Sequence, residues 1–329
     1  QVSAALIGAY DPIGWTMAYG QWISSVMFGE IRSDNANAGG DPSDQDQQGW
    51  QELDDFNNTE MNVVLHPLYR RNYIGIARAN ALLALTELES STVEVYKAEA
   101  KFLRAYYHFE LFRHFGPIPV VTEPLDPSDV NLERNTMSEV MSQVVKDCQE
   151  AADLLPTIAP SGEEGRATKG AAYALMGKAY LYWADLGGDD VARFDEAAAA
   201  FQRVVDLGLY QLVDDMQELY NFGARNTVES VFEIQHNPLW SSDWGWFEGV
   251  DGNGIIQLCG IRGLCADHPD YEAGWGFMPI SEGLWNHFLE DDTYRRDVAI
   301  VSEDELAQDL EDAGASCDPI IDITQNNPN

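Results

Sequence analysis

The run from Val93 to Phe115 constrains this chain more than any other part of it. Val95, Ala98, Phe102, Ala105, Phe109 and Phe112 follow one another at alternating three- and four-residue steps, which places them on one helix face. Leu103, Tyr106, Tyr107 and Leu111 widen that face, so the helix must be enclosed on much of its circumference. Gly116-Pro117 then stops it, because Gly supplies the terminal backbone freedom and Pro cannot continue the hydrogen-bond ladder. An enclosed helix needs neighbours on several sides. The following Ile118-Pro119-Val120-Val121 reads as extended chain.

Those neighbours are legible around it. Residues 4–31 carry apolar and aromatic positions within a generally helical first two-thirds, and a polar, Gly-rich loop covers 33–48. Helices are predicted over 63–88 and 137–155, the latter started near Thr136 and Ser138 with Glu139 in its first turn. Residues 171–207 read as a helix pair: Gly177 and Tyr180 among alanines, then Ala197, Phe201 and Val204. Small residues let two helices approach while an aromatic fills the gap, a tetratricopeptide-like pattern with a long turn over 185–195. Residues 231–235 alternate like a short strand. Residues 238–279 are rich in Gly, Trp and Asp and show no helical period; short helices over 281–289 and 303–312 follow. The fold class is therefore mainly α with little β, a helical-repeat scaffold carrying a loop-rich, Trp- and Gly-rich binding region.

Charge narrows the function. There are 19 Lys and Arg against 55 Asp and Glu, a formal net charge of −36. Such a surface repels phosphate backbones and anionic headgroups, which argues against nucleic-acid binding and polybasic membrane attachment. Hydrophobic residues make up 45% of the chain, enough for a large core, so disorder is excluded. No apolar run is long enough to cross a bilayer; the best, 171–184, is interrupted by Lys178. The chain opens at Gln1 with neither a basic nor an apolar leader, and is expected to be a processed chain or a fragment.

Catalytic and metal motifs are sparse. Acidic pairs such as Glu163-Glu164 carry little information in so acidic a chain, and no Gly-x-Ser-x-Gly elbow, phosphate-binding loop or HExxH string occurs. His108 and His114 stand about 240° apart on their helix and cannot chelate one ion together. The chain is thus expected not to be an enzyme and to need no cofactor. Ca²⁺ is the one ion with candidates, Asp41, Asp44 and Asp46, since hard oxygen ligands on a loop suit it. Cys148 reads as a buried hydrophobe, while Cys259 and Cys265 flank a short loop that a disulfide can close in an exported chain.

The string Ala98-Glu99-Ala100-Lys101-Phe102-Leu103-Arg104-Ala105-Tyr106-Tyr107-His108-Phe109, ending in Phe115-Gly116-Pro117-Ile118-Pro119-Val120-Val121, resembles the RagB/SusD family of Bacteroidota nutrient-uptake lipoproteins. Tyr73, Ile76, Ala79 and Asn80 upstream fit its preceding helix. Arg166-Ala167-Thr168-Lys169-Gly170-Ala171-Ala172, Gly177-Lys178-Ala179-Tyr180-Leu181 and Glu229-Ser230-Val231-Phe232-Glu233-Ile234-Gln235 fit downstream. The resemblance implies one SusD-like domain over 1–329. Within it, 1–230 is mostly helical scaffold with the repeat-like pair at about 166–207, and 231–297 is the loop-rich region. It further implies an oligosaccharide ligand and a SusC-like TonB-dependent transporter as partner. The place is the cell-surface face of the outer membrane, reached through a lipid anchor not visible in this chain. Tyr69 stands where many relatives carry Trp, no lipidated N-terminal Cys is present, and the family's C-terminal helical segment is expected to be absent.

Aromatics are the candidate ligand residues. A pyranose presents an apolar C–H face that stacks on Trp, while Asp, Asn and Gln bind its hydroxyls. Residues 238–279 supply both: Trp240, Trp244, Trp246 and Trp275 with Phe277, among Asp243, Asp251, Asn253 and Gln257. Trp50, beside Asn57 and Asn58, is a further candidate from the N-terminal side. The alternative for each Trp is packing the loop onto the helices. Glycan capture is the expected function; peptide uptake by the same architecture, or a structural subunit of a surface layer or filament, are the alternatives.

Overall fold

Helix α5, Ser91–Phe115, starts where the Ser90 hydroxyl accepts the Val93 N–H at 3.2 Å and stops at Gly116, whose φ of +67° suits a residue without Cβ. Every residue from Ala98 to Phe112 except Lys101 and Tyr106 is buried. The enclosure expected from the sequence is what the computed structural model shows. It describes residues 2–40, 47–85, 90–126, 128–129, 131–188, 190–220, 223–236, 249–251, 254–262, 264, 273–288 and 291–312.

In chain order the elements begin with helix α1 (Val2–Tyr10), strands β1 (Trp15–Ala18) and β2 (Gln21–Trp22), and helices α2 (Ser25–Glu30) and α3 (Gln48–Asp54). Helix α4 (Leu65–Leu83), α5, α6 (Met137–Leu154), α7 (Lys169–Leu186) and α8 (Val191–Asp206) follow. The last are β3 (Gly249–Asp251), α9 (Ile255–Cys259), β4 (Ile261–Arg262), β5 (Ala273–Gly274), α10 (Glu282–His287), α11 (Thr293–Ala299) and α12 (Glu303–Asp312). Among the described residues no helix is long and apolar enough to cross a membrane.

The described residues gather in two compact units, where the sequence reading has one domain. The first unit takes in Gln1–Gly14, Tyr69–Asp214 and Ala224–His236. Here α6 packs between α5 and α7, α7 packs on α8, and α1 lies on α5. Thr136 caps α6 reciprocally with Glu139, Thr168 caps α7, and Asp190 caps α8. The α7–α8 connection spans only 187–190, so the turn is shorter than the expected 185–195. The expected strand at 231–235 is not formed; Phe232 instead sets its ring edge-on to Phe102, 5.0 Å between centroids.

Buried polar groups tie this unit together. Arg104 holds Asp147 through Nε–Oδ2 at 2.8 Å and Nη2–Oδ1 at 2.7 Å, and also donates to Asn80 Oδ1 and the Thr122 carbonyl. Arg166 grips Glu99, which also accepts the Tyr10 hydroxyl at 2.8 Å. The extended segment after Gly116 is stitched down by Tyr73 to Pro119 O at 2.7 Å and by Asn80 to Val121 O at 3.1 Å. His108 is fully buried; its Nε2 accepts the Val121 N–H, so Nδ1 carries the proton toward Arg104 O at 2.9 Å.

The second unit takes in Trp15–Leu68, Asp215–Gly223 and the described part of Asn237–Asn329. Residues 15–68 therefore group with the C-terminal segment in this unit. The physical reason is long-range strand pairing: β1 sits between β2 and β3, antiparallel to both, with Trp15 opposite Asp251. The β1–β2 turn places Tyr19 and Gly20 at φ of +52° and +72°, the two-residue hairpin geometry that matches strand twist. Strands β4 and β5 form a short parallel pair.

Candidate functional site

The site is built around Trp275, which leaves β5 at the start of a tightly bonded segment. Three consecutive amides are held by the α9 region: Trp275 N–H to Gln257 O at 3.0 Å, Gly276 N–H to Gly260 O at 2.9 Å, and Phe277 N–H to Leu258 O at 3.1 Å. On its other side the segment meets the loop 34–40. Gly40 N–H donates to Gly276 O, Met278 N–H to Ala38 O, and Asn37 N–H to Pro279 O, each at 3.0 Å. Gly40 is obligatory in this arrangement, because a Cβ there would lie 2.6 Å from the Phe277 ring. The segment cannot shift without breaking both sets of bonds.

The loop 34–40 is in turn fixed by α3. Gln51 donates to Gly39 O at 2.7 Å and Asp54 accepts the Ala38 N–H at 2.7 Å. Burial pushes the Asp54 carboxyl pKa up while that amide bond opposes the shift. Trp50, on the same helix, is fully buried with its ring 4.6 Å from Phe28. The expectation that Trp50 offers a face to ligand is thereby corrected: a seven-residue helix is seated by its buried apolar side chains, Trp50 and Leu53, of which Trp50 is the larger. Phe277 is likewise buried at 1% exposure.

Trp275 differs from both. The residue is 36% exposed, and its ring meets the buried Trp22 at 5.9 Å between centroids and 81° between planes. A half-open indole on a fixed backbone, backed by a second indole, is a rigid apolar platform. Arg262 lies against the neighbouring Gly276, where a Cβ would stand 2.9 Å from the Arg262 Cβ. Of the expected cluster, the structure brings Trp275 and Gln257 together and places Asp251 on β3. Trp240, Asp243, Trp244, Trp246 and Asn253 lie outside the described residues, as do the Ca²⁺ candidates Asp41, Asp44 and Asp46. Cys259 is a free thiol whose pKa burial pushes up to about 11; its expected partner Cys265 also lies outside the described residues. Sequence reasoning missed Trp22, although the Tyr19-Gly20 turn between apolar positions is a hairpin signal.

A cleft of about 420 Å³ opens elsewhere in the same unit, lined by Met216, Leu284, His287, Phe288, Asp292, Arg295 and Ala299. Arg295 pairs with Asp292 along it. The Tyr294 hydroxyl donates to Asp215, which holds that carboxyl below the usual carboxylate range. Among the described residues no cluster of three or more His, Cys, Asp or Glu is arranged to hold a metal.

A family model described as SusD-like, starch-binding and associating with the outer membrane, matches residues 6–181. The chain belongs to the SusD-like family. A SusD-like protein of Formosa agariphila (protein P2) is 26% identical over 311 residues, 91% of this chain and 56% of its own length. The SusD-like chain thus spans little more than half of that curated relative. Among solved structures, a laminarin-binding SusD-like protein is 32% identical with a TM-score of 0.80, covering 95% of this chain and 68% of its own. Surface glycan-binding protein A from Bacteroides fluxus is 26% identical with a TM-score of 0.80, covering 92% and 64%.

Proposed function

We propose that this SusD-like chain captures an oligosaccharide at the cell-surface face of the outer membrane and passes it to a TonB-dependent transporter, without acting on it chemically. The observation that carries the reading is Trp275, a half-exposed indole whose backbone is locked on both sides. A sugar stacks its C–H face on that ring, and little side-chain freedom is lost on binding because the platform is already ordered. In this reading Trp240, Trp244 and Trp246 add stacking faces, while Asp243 and Asn253 bind hydroxyls. Laminarin is the first ligand to try, given the name of the 32% identical relative; starch is the second, given the family description. A Ca²⁺ ion on Asp41, Asp44 and Asp46 is an added element, read out by whether EDTA lowers the melting temperature.

The test is a panel of laminarin, soluble starch and an unrelated peptide mixture, titrated calorimetrically against the purified chain. Binding of a glucan but not the peptides is the expected result. Binding of peptides alone would replace the ligand class, and binding of nothing would remove the reading.

A further inference from the structure

We propose that Trp22 is a positioning residue that sets the ring plane of Trp275, and that Gly254 is the seat that lets it do so. This rests on the reading that Trp275 stacks on a sugar. Trp22 is 2% exposed and cannot itself touch ligand. Its backbone is fixed in the hairpin, opposite Met17 in β1, with the following Ile23 N–H bonded to Thr16 O at 2.9 Å. Its six-membered ring lies directly on Gly254: a Cβ there would stand 2.3 Å from Cζ3 and 2.7 Å from Cη2. Any side chain at 254 must displace the ring. Gly254 is tied to the same strand, its N–H donating to Thr16 Oγ1 at 3.4 Å.

The Trp275 backbone is set by its bond to Gln257, but an indole keeps a broad torsion about its last bond unless something blocks it. Trp22 meets that ring edge-to-face at 81°, an arrangement aromatic pairs favour, and so selects one plane. One short segment carries both parts of the device. Gly254 seats Trp22, and Gln257 in the adjoining α9 anchors Trp275.

The test uses the full chain with Trp22→Leu, Trp22→Phe, Gly254→Ala and Trp275→Ala, reading laminarin affinity together with the far-ultraviolet exciton couplet of the paired indoles. Trp22→Leu and Gly254→Ala should diminish the couplet and weaken binding by about two- to tenfold, with Trp22→Phe closer to the parent in affinity. A variant that loses the couplet yet binds laminarin like the parent, while Trp275→Ala binds weakly, overturns the positioning role and leaves the functional reading standing. A parent that binds neither laminarin nor soluble starch, or a Trp275→Ala chain that binds like the parent, overturns both. Should Trp22→Leu not fold, Gly254→Ala decides the question alone.

Discussion

Phe201 of α8 closes over Gly177 of α7 so tightly that a Cβ on the glycine would stand 2.6 Å from its ring. The contact explains why the repeat-like pair carries Gly at a mid-helix position that Ala would otherwise favour by up to about 1 kcal/mol. Overpacking costs about 1–3 kcal/mol, so Gly177→Ala should be net destabilising. Urea unfolding should show a lower midpoint, and adding Phe201→Leu should recover much of the loss. A variant as stable as the parent would mean the helices part without cost.

Arg104 and Asp147 form a two-bonded ion pair buried between α5 and α6, at 8% and 0% side-chain exposure. Removing one partner leaves a buried charge alone, which costs about 3–5 kcal/mol. Arg104→Met should therefore destabilise strongly, whereas Arg104→Met with Asp147→Leu should be milder than Arg104→Met alone. Chemical denaturation of the two variants checks this. Equal losses would show that packing, not the stranded carboxylate, sets the cost.

His108 predicts a pH profile. Burial holds its imidazole neutral and pushes the pKa down from 6.5 to about 4. Between those values the unfolded chain binds a proton that the folded chain refuses, so stability rises with pH across the window. The contribution is fully present above about pH 6.5 and is lost toward pH 4, by at most about 3 kcal/mol. Glu110 acts in a separate, lower window. Burial opposes its ionisation, yet hydrogen bonds and charge from His114 and Arg113 hold its pKa at about 2, below the usual 4.5. Its contribution is lost only as the pH falls below 4.5. Comparing urea midpoints at pH 7.5 and 5 should show a drop in the parent and a smaller one in His108→Gln; equal drops would assign the effect to other groups.

The scaffold was legible because its helices bury long periodic faces: α5, α6 and α12 fall where their sequence patterns place them. The strings that carried the family resemblance turn out to hold structural bonds. Glu99 and Arg166, from two separate strings, meet as an ion pair, and Arg104 of the first string binds Asp147. The second unit was not legible in the same way. Its sheet joins β1 to β3 across more than two hundred residues of intervening chain, and local periodicity carries no record of such a pairing. For the same reason Trp50 and Trp275 look alike in sequence, yet one seats a short helix and the other stands half open.

The central claim is that Trp275 is a ligand platform, and calorimetric titration of laminarin into the parent and Trp275→Ala chains tests it most directly. Trp275 is partly exposed and packs on Trp22, so its removal should leave the chain folded with a modestly lower melting temperature. Affinity should fall by about tenfold or more, equivalent to at least about 1.4 kcal/mol. Unchanged laminarin affinity in a folded Trp275→Ala chain would contradict the account.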